Sequence, residues 1–238
     1  MRKMLALALA ALLCLGTIGC AQADFAIRFG DRKSPKIAVT MDDCYQMECV
    51  QQALDLCAEY GVVMTFFPLG DTLNAEDAEI WQAVIDAGCE IGNHTNHHAS
   101  FANISSSAIV THIRIMQQKL DDVLGYHYEV RSLRPPFGKY RDEGGSNRRI
   151  MAAVQKAGYE HVVLWDVQDN DPEAAFKVTK NGSILLYHAR KADIECLTAL
   201  IPMLVDAGYE LVTVRELLGF EENTISEEKY VYHSGNDR

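Results

Sequence analysis

Short apolar runs alternate along this chain with longer stretches whose apolar positions recur every three or four residues. The first pattern suits buried strands and the second amphipathic helices. Read in order, it predicts a strand over 37–41, a helix over 47–60 stopped by Gly61, a strand over 62–67 and a helix over 77–87 closed by Gly88. A short strand over 89–92, a long helix from about 105 to 124, a short strand over 132–134 and a helix over 147–157 stopped by Gly158 follow. Strands over 161–165 and 183–187, a helix from about 194 to 207 stopped by Gly208, a strand over 211–214 and a short segment over 215–218 complete the series. Ala-Gly-(Tyr/Cys)-Glu recurs at 87–90, 157–160 and 207–210, each time where a helix ends and a strand begins. Such alternation implies an α/β fold with a parallel sheet, open or closed into a barrel. Six or seven strands in about 215 residues fit a slightly incomplete (β/α) barrel.

Both ends depart from this rhythm. Arg2 and Lys3 precede a run of apolar and small residues over 4–18, and Ala21-Gln22-Ala23 offers a small-x-small cleavage site before Asp24. Residues 1–23 therefore read as an export signal, since the run is too short and wrongly flanked for a transmembrane span. Lipid attachment at Cys20 is the second reading; Gly19-Cys20 follows the apolar run, but Thr17 stands where such signals carry Leu. Residues 24–34 read as an N-terminal linker, 35–220 as one domain, and 221–238 as a polar, loosely held tail.

The formal net charge is −11, or −13 without residues 1–23, which hold two cations and no acid. That balance argues against nucleic acid and polyanionic partners, which call for basic surfaces, and suits a neutral or cationic substrate. Outside the export signal five cysteines remain: Cys44, Cys49, Cys57, Cys89 and Cys196. A chain with this much core needs no staples, so buried free thiols are expected, with a Cys44–Cys49 or Cys57–Cys89 bridge as the alternative.

The residues able to do chemistry gather where the predicted strands end: Asp42 and Asp43, His94, Arg134, Asp166 to Asp171, and His188. Sites in α/β barrels and open parallel sheets are built on that edge. Two adjacent carboxylates disfavour each other's ionisation unless a cation or a proton keeps them apart. On opposite faces of a strand end, one can serve a metal while the other stays free as a base. His94 and His98 stand four apart, enough to grip one ion if the segment turns helically. With Asp43 they make a two-histidine, one-carboxylate set that leaves a position open for water. His97 falls off that face, and His112, His127, His161 and His233 have no carboxylate motif beside them. In Arg134-Pro135-Pro136-Phe137-Gly138 the prolines stiffen a loop and Gly138 permits close backbone approach. The arginine is suited to hold Asp42 ionised and aimed. His188 ends an apolar strand and, oriented by an aspartate, suits a general acid. Taken singly, each motif also has a plain structural reading: an acidic turn, a histidine-rich loop, a surface arginine.

Taken together and in order, these motifs resemble the polysaccharide deacetylase family, the NodB-homology or carbohydrate esterase family 4 domain. Thr40-Met41-Asp42-Asp43 is similar to its first motif, Thr-Phe-Asp-Asp-Gly, and His94-Thr95-x-x-His98 to its second. Arg134-Pro135-Pro136-Phe137-Gly138 is similar to the third, Trp165 to Asp171 to the fourth, and Leu185-x-x-His188 to the fifth. The resemblance spans about residues 35–218. It implies a distorted (β/α) barrel and metal-dependent removal of N-acetyl groups from an amino-sugar glycan, peptidoglycan or chitin-like. By that analogy Asp43, His94 and His98 hold one divalent ion, zinc first, with cobalt, nickel or manganese as alternatives. Asp42 is then the base, His188 the acid, and Arg134 the residue that orients Asp42, while Asp171, or failing it Asp169, tunes His188. A backbone N–H near Phe137 joins in stabilising the oxyanion, with Pro136 and Trp165 beside the substrate.

The departures are Met41 for Phe, Cys44 for Gly, Gln168 where a carboxylate is common and Pro172 where Trp is common. Cys44 is either a space-filling thiol or a fourth ligand that modulates the site. The degraded fourth motif leaves open a different amide or ester: a cyclic imide, acetylated xylan or a small molecule. A non-catalytic wall-binding module is the reading from another class.

Overall fold

The structure, a computed structural model, describes residues 25–232; the predicted export signal, Cys14, Cys20 and His233 lie outside them. β1 (Ala26–Ile27), β2 (Lys36–Asp43), α1 (Met47–Tyr60), β3 (Thr65–Pro68), α2 (Ala78–Asp86) and β4 (Glu90–Ile91) open the fold. α3 (Ser106–Leu124), β5 (His127–Tyr128), α4 (Arg148–Lys156), β6 (Val162–Val163) and α5 (Pro172–Val178) follow. β7 (Ile184–His188), α6 (Lys191–Asp206), β8 (Glu210–Leu211), α7 (Val214–Leu218) and β9 (Ile225–Ser226) end the described chain.

The barrel is organised on β2, which is buried from Ile37 to its end, as a parallel strand covered on both faces must be. It pairs in parallel with β3, Thr40 opposite Thr65, and with β7, Asp42 opposite His188. β8 takes the first residues of β2, Lys36 and Ile37, and β4 lies beyond β3. From there the wall continues through a parallel bridge between Asn93 and Leu133 and a hydrogen bond from Val163 N to Leu133 O. β1 pairs with β6, and a bridge between Val167 and Leu185 returns to β7. The result is a distorted, incomplete (β/α) barrel. Because these strands are parallel, their C-terminal ends share one rim, and the β2–β7 register sets Asp42 beside His188 there.

Packing follows the predicted periodicity. α1 turns Val50, Ala53, Leu54 and Cys57 inward, and α6 does the same with Leu197, Leu200, Ile201 and Leu204. Each valine, leucine or isoleucine among them contributes roughly 1.5–3 kcal/mol by leaving water. α1 stops where Gly61 adopts a left-handed conformation at φ 63°. Cys44, Cys49, Cys57, Cys89 and Cys196 are all buried and free.

Three expectations need correction. Residues 25–34 are not a free linker: β1 lines the wall beside β6, and Arg32 reaches Asp166 at 2.6 Å. Nor is the described part of the tail, 221–232, loose, since β9 pairs antiparallel with β5 and the Tyr230 N–H donates to Asp121 Oδ2 at 2.7 Å. Polar composition does not report backbone pairing, which is why the tail was misread. The predicted strand over 132–134 shrinks to the bridge at Leu133. Among the described residues no helix is long and apolar enough to cross a membrane.

Candidate active site

The rim residues come together as a layered set. Asp42 is buried, and Arg134 Nη1 donates to its Oδ1 at 2.7 Å. The same nitrogen donates to Thr40 Oγ1 at 2.6 Å, while Nε and Nη2 reach the carbonyls of Val163 and Leu164. The guanidinium is fully buried, 4.3 Å above the Phe67 ring and 5.6 Å from that of Trp165. Burial pulls its pKa down and the Asp42 carboxylate opposes that. A guanidinium stays charged even when enclosed, and its burial is tolerable because its donors are met.

Asp43 turns the other way. Its Oδ1 lies 3.5 Å from both His94 Nε2 and His98 Nε2. It is buried and has no hydrogen-bond partner, which is costly for a carboxylate oxygen unless a cation meets it. Burial acts to raise the Asp43 pKa, but the imidazoles of His94, His98 and His188 outweigh it, and the carboxyl sits below its usual range. Burial, followed by the charge of His94, holds His98 low, which favours the neutral ring that a metal requires. His94 Nδ1 lies 2.8 Å from the Arg134 carbonyl, which can only accept, so in the neutral ring the hydrogen is on Nδ1 and the Nε2 lone pair faces Asp43. Asp43, His94 and His98 are, among the described residues, the group able to hold a metal, with ligand atoms within 4.8 Å of one another. The donor set and the unpartnered oxygen both fit a divalent cation.

The histidines do not meet through a helical turn, as their spacing predicts. The stretch from His94 to His98 is a loop in which Thr95 takes φ 70°. The non-glycine residues with positive φ among those described are Asp43, Cys44, Thr95 and Phe137, and all four border this set. Such conformations persist only where surrounding contacts over-determine them, and they concentrate at functional sites. His97, as expected, leaves the set and pairs with Asp71.

Phe137 is 58% exposed, and its ring packs 4.2 Å from that of His98. Pro136, the residue before it, is buried. Trp165 is half-buried and donates from Nε1 to Gln168 Oε1 at 3.0 Å, so the glutamine of the altered fourth motif positions the indole. Cys44 is buried with Sγ 3.8 Å from the Met41 carbonyl; burial, then Asp42 and Asp43, push its thiol well up. Its Sγ is turned to its own strand, and Cys44 is not part of the group able to hold a metal.

The partner assigned to His188 is wrong. Asp171 caps α5, its Oδ1 accepting from Ala174 N at 2.8 Å, and Asp169 accepts from Asp171 N. The carboxylate beside His188 is Asp193, whose Oδ2 lies 3.4 Å from Nδ1 and accepts the His188 N–H at 2.5 Å. Burial would raise the Asp193 pKa, but His188 and then Asn170 more than compensate and hold it low. The signal was legible: an acid in the first turn of a helix that begins three residues after a rim histidine. Starting that helix at 194 rather than at Lys191 hid it. Arg190, 61% exposed, brings Nη2 to 4.0 Å from Asp43 Oδ2.

Comparison with known proteins bears on this arrangement. A model described as polysaccharide deacetylase matches residues 29–162, more than half of the chain. The chain belongs to the polysaccharide deacetylase family. It is 30% identical over 203 residues to a peptidoglycan-N-acetylglucosamine deacetylase of Bacillus cereus, covering 78% of this chain and 89% of that one. A peptidoglycan-N-acetylmuramic acid deacetylase of Bacillus subtilis is 27% identical over 197 residues, 79% of this chain and 39% of the relative. Among solved structures, a family 4 acetyl xylan esterase from Clostridium thermocellum, in complex with a cobalt ion, matches with TM-score 0.65 at 26% identity, over 76% of this chain and 89% of that one. A family 4 pseudoenzyme from Bacillus anthracis shares the fold at TM-score 0.70 and 20% identity, over 86% of this chain and 70% of that one. The match to the family model stops before β7, so His188 and Asp193 stand on geometry.

Proposed function

We propose that the protein is an exported, metal-dependent deacetylase that removes N-acetyl groups from amino-sugar glycans of the peptidoglycan or chitin type. The observation that carries this reading is the divergence of two adjacent carboxylates: Asp43 joins His94 and His98, while Asp42 is tied to Arg134. Asp43, His94 and His98 would hold the ion, zinc first, with cobalt, nickel or manganese as alternatives. When bound, that ion supplies Lewis acidity toward the amide carbonyl and lowers the pKa of the attacking water.

Asp42 takes the proton from this water, and Arg134 keeps its carboxylate aimed. The Phe137 backbone N–H donates to the developing oxyanion, for which its left-handed conformation beside His98 is suited. His188, oriented by Asp193, protonates the departing nitrogen, without which an amine is a poor leaving group. Retention of Asp42, Asp43, His94, His98 and His188 supports catalysis over a wall-binding module on a decayed scaffold. Hydrolysis of an acetyl ester is the second reading, supported by the likeness to the acetyl xylan esterase.

Acetate release is to be measured from purified peptidoglycan, glycol chitin and acetylated xylan, with and without chelator. Release from the first two, abolished by chelator and by His94→Ala, is expected. Release from xylan alone moves the assignment to the ester, and release that survives chelation overturns it. Export is tested by sequencing the N-terminus of the protein from the culture medium: a start at Asp24 is expected, and a lipid-modified Cys20 would replace the soluble reading.

A further inference from the structure

The sequence leaves two bridges open, Cys44–Cys49 and Cys57–Cys89, and the structure separates them. Cys44 Sγ faces the Met41 carbonyl at 3.8 Å, and Cys49 Sγ faces Gln46 Oε1 at 3.5 Å. Cys196 Sγ lies 3.8 Å from both the Asp169 carbonyl and Tyr187 Oη. Each of these thiols is turned to an oxygen rather than to another sulfur. Cys57 instead donates its S–H to Cys89 Sγ. That hydrogen bond, with burial, pushes the Cys57 thiol up, and against burial it holds Cys89 below its usual pKa. The backbone explains the meeting. Cys57 sits in the last turn of α1, and its carbonyl accepts the N–H groups of Gly61 and Val62 as the chain turns toward β3. Cys89 stands immediately before β4, where the Met64 N–H donates to its Sγ at 3.4 Å and the Glu90 N–H donates to the Met64 carbonyl. Both side chains are buried in one apolar cluster, at 2% and 5% exposure.

We propose that Cys57 and Cys89 are a disulfide site, joined when the chain folds in an oxidising compartment. The structure describes the dithiol form of this pair. The oxidant is a disulfide, either a small molecule or a protein. A thiolate of the pair attacks one of its sulfurs, giving a mixed disulfide and releasing one thiol. The second cysteine gives its proton to solvent and attacks the mixed disulfide, so the protein S–S bond forms and the other thiol leaves. Two electrons pass from the cysteine pair to the oxidant, which ends as two thiols. Burial of both sulfurs places this step during folding, before the pair is covered. The bridge closes a loop that contains β3 and α2. The chain runs from Asp43 into α1 and from β4 into His94, so the bridge fastens the elements that flank these two residues, away from the rim. Its role is stability, because a cross-link restricts the unfolded chain far more than the folded one. The inference goes beyond the deacetylase reading and does not rest on it; export alone supplies the oxidising compartment.

The test is refolding of the reduced full chain with a mixture of oxidised and reduced glutathione, followed by alkylation and peptide mapping. Wild type is expected to yield a cross-linked peptide joining Cys57 to Cys89, with Cys44, Cys49 and Cys196 alkylated. That product should melt roughly 5–15 °C above wild type refolded without oxidant. Cys57→Ser and Cys89→Ser should give no cross-link and should melt alike under the two conditions. Alkylation of both Cys57 and Cys89 in the oxidatively refolded wild type, or a bridge from either to another cysteine, overturns the proposal. Equal melting temperatures for the bridged and unbridged wild type overturn the stabilising role. If the serine variants do not fold, the wild-type map decides alone. The map is read without turnover, so absence of acetate release sinks the enzymatic reading and leaves this result intact.

Discussion

Two buried carboxylates stand at opposite ends of the same barrel, and their surroundings have opposite logic. At the rim, Asp42 faces a guanidinium at 2.7 Å. At the other end, Glu90 is 1% exposed and meets no cation in direct contact; its partners are Ser132 Oγ at 2.6 Å, Thr65 Oγ1 at 2.9 Å and the Arg215 N–H at 2.9 Å. Burial raises the Glu90 pKa, and these donors only moderate the rise. Glu90 and Thr65 thereby hold the start of α7, since Val214 N also donates to Thr65 Oγ1. A buried acid with a fixed counter-charge is equipped to act as a base, whereas one satisfied by hydroxyls and a backbone N–H is a structural latch. Burial and carboxylate chemistry alone do not distinguish them; the neighbour does.

Breaking the rim end should have the largest effect. Asp42→Asn is expected to lower kcat/KM by ~10²–10⁴-fold, equivalent to ~3–5 kcal/mol of transition-state stabilisation, while leaving metal content unchanged. Metal analysis alongside kinetics checks it. Loss of metal in Asp42→Asn, or its retention in His94→Ala and His98→Ala, would reverse the roles given to the two adjacent aspartates. His97→Ala should keep most of the metal, because His97 is engaged with Asp71.

At the latch end the effect is on stability. Glu90→Ala strands Ser132, Thr65 and the Arg215 N–H and should cost ~2–4 kcal/mol in chemical denaturation. Glu90→Gln keeps an acceptor and adds a donor for Ser132, and should cost under ~1 kcal/mol at neutral pH. The sign of the pH dependence sharpens the contrast. Because the folded-state pKa is raised, the stabilising contribution is full below the ordinary glutamate value and is lost as pH rises through the folded value. Wild type should therefore lose stability over that window and Glu90→Gln should not. A flat wild-type profile there would mean that Glu90 is not held protonated.

Smaller again is the change expected at His188. Asp193→Asn should lower turnover by ~10-fold or more, as loss of an orienting carboxylate leaves an imidazole misplaced. Asp171→Asn should leave turnover near wild type and cost little stability, because asparagine caps α5 about as well as aspartate. Equal losses of turnover in the two variants would undo the correction from Asp171 to Asp193.

The smallest effect belongs to Cys44→Gly. Glycine relieves a side chain at φ 59° but removes a buried thiol, so stability should change by less than ~1 kcal/mol, with metal content and turnover near wild type. Loss of metal in this variant would make Cys44 a ligand.

The sequence by itself determined the parallel α/β scaffold and the edge on which the chemistry gathers. A strand-to-helix period and a polar residue at each strand end are local patterns, and local patterns survive without coordinates. Asp42, Asp43, His94 and Arg134 were legible for that reason, each lying within or close to a strand end or bridge, and His98 through its four-residue spacing from His94. Only the tertiary structure decided what each faces. The β2–β7 register set Asp42 against His188, and the loop at Thr95, not a helical turn, brought two histidines to Asp43. Arg134 proved to act twice, through its guanidinium on Asp42 and its carbonyl on His94. Asp193 was chosen over Asp171 because α6 begins at Lys191, which turns Asp193 back onto His188. The tail was tied down by β9 pairing with β5, some hundred residues away in sequence. Pairing register, loop path and long-range backbone bonds depend on contacts between distant segments, and no window of neighbouring residues encodes them.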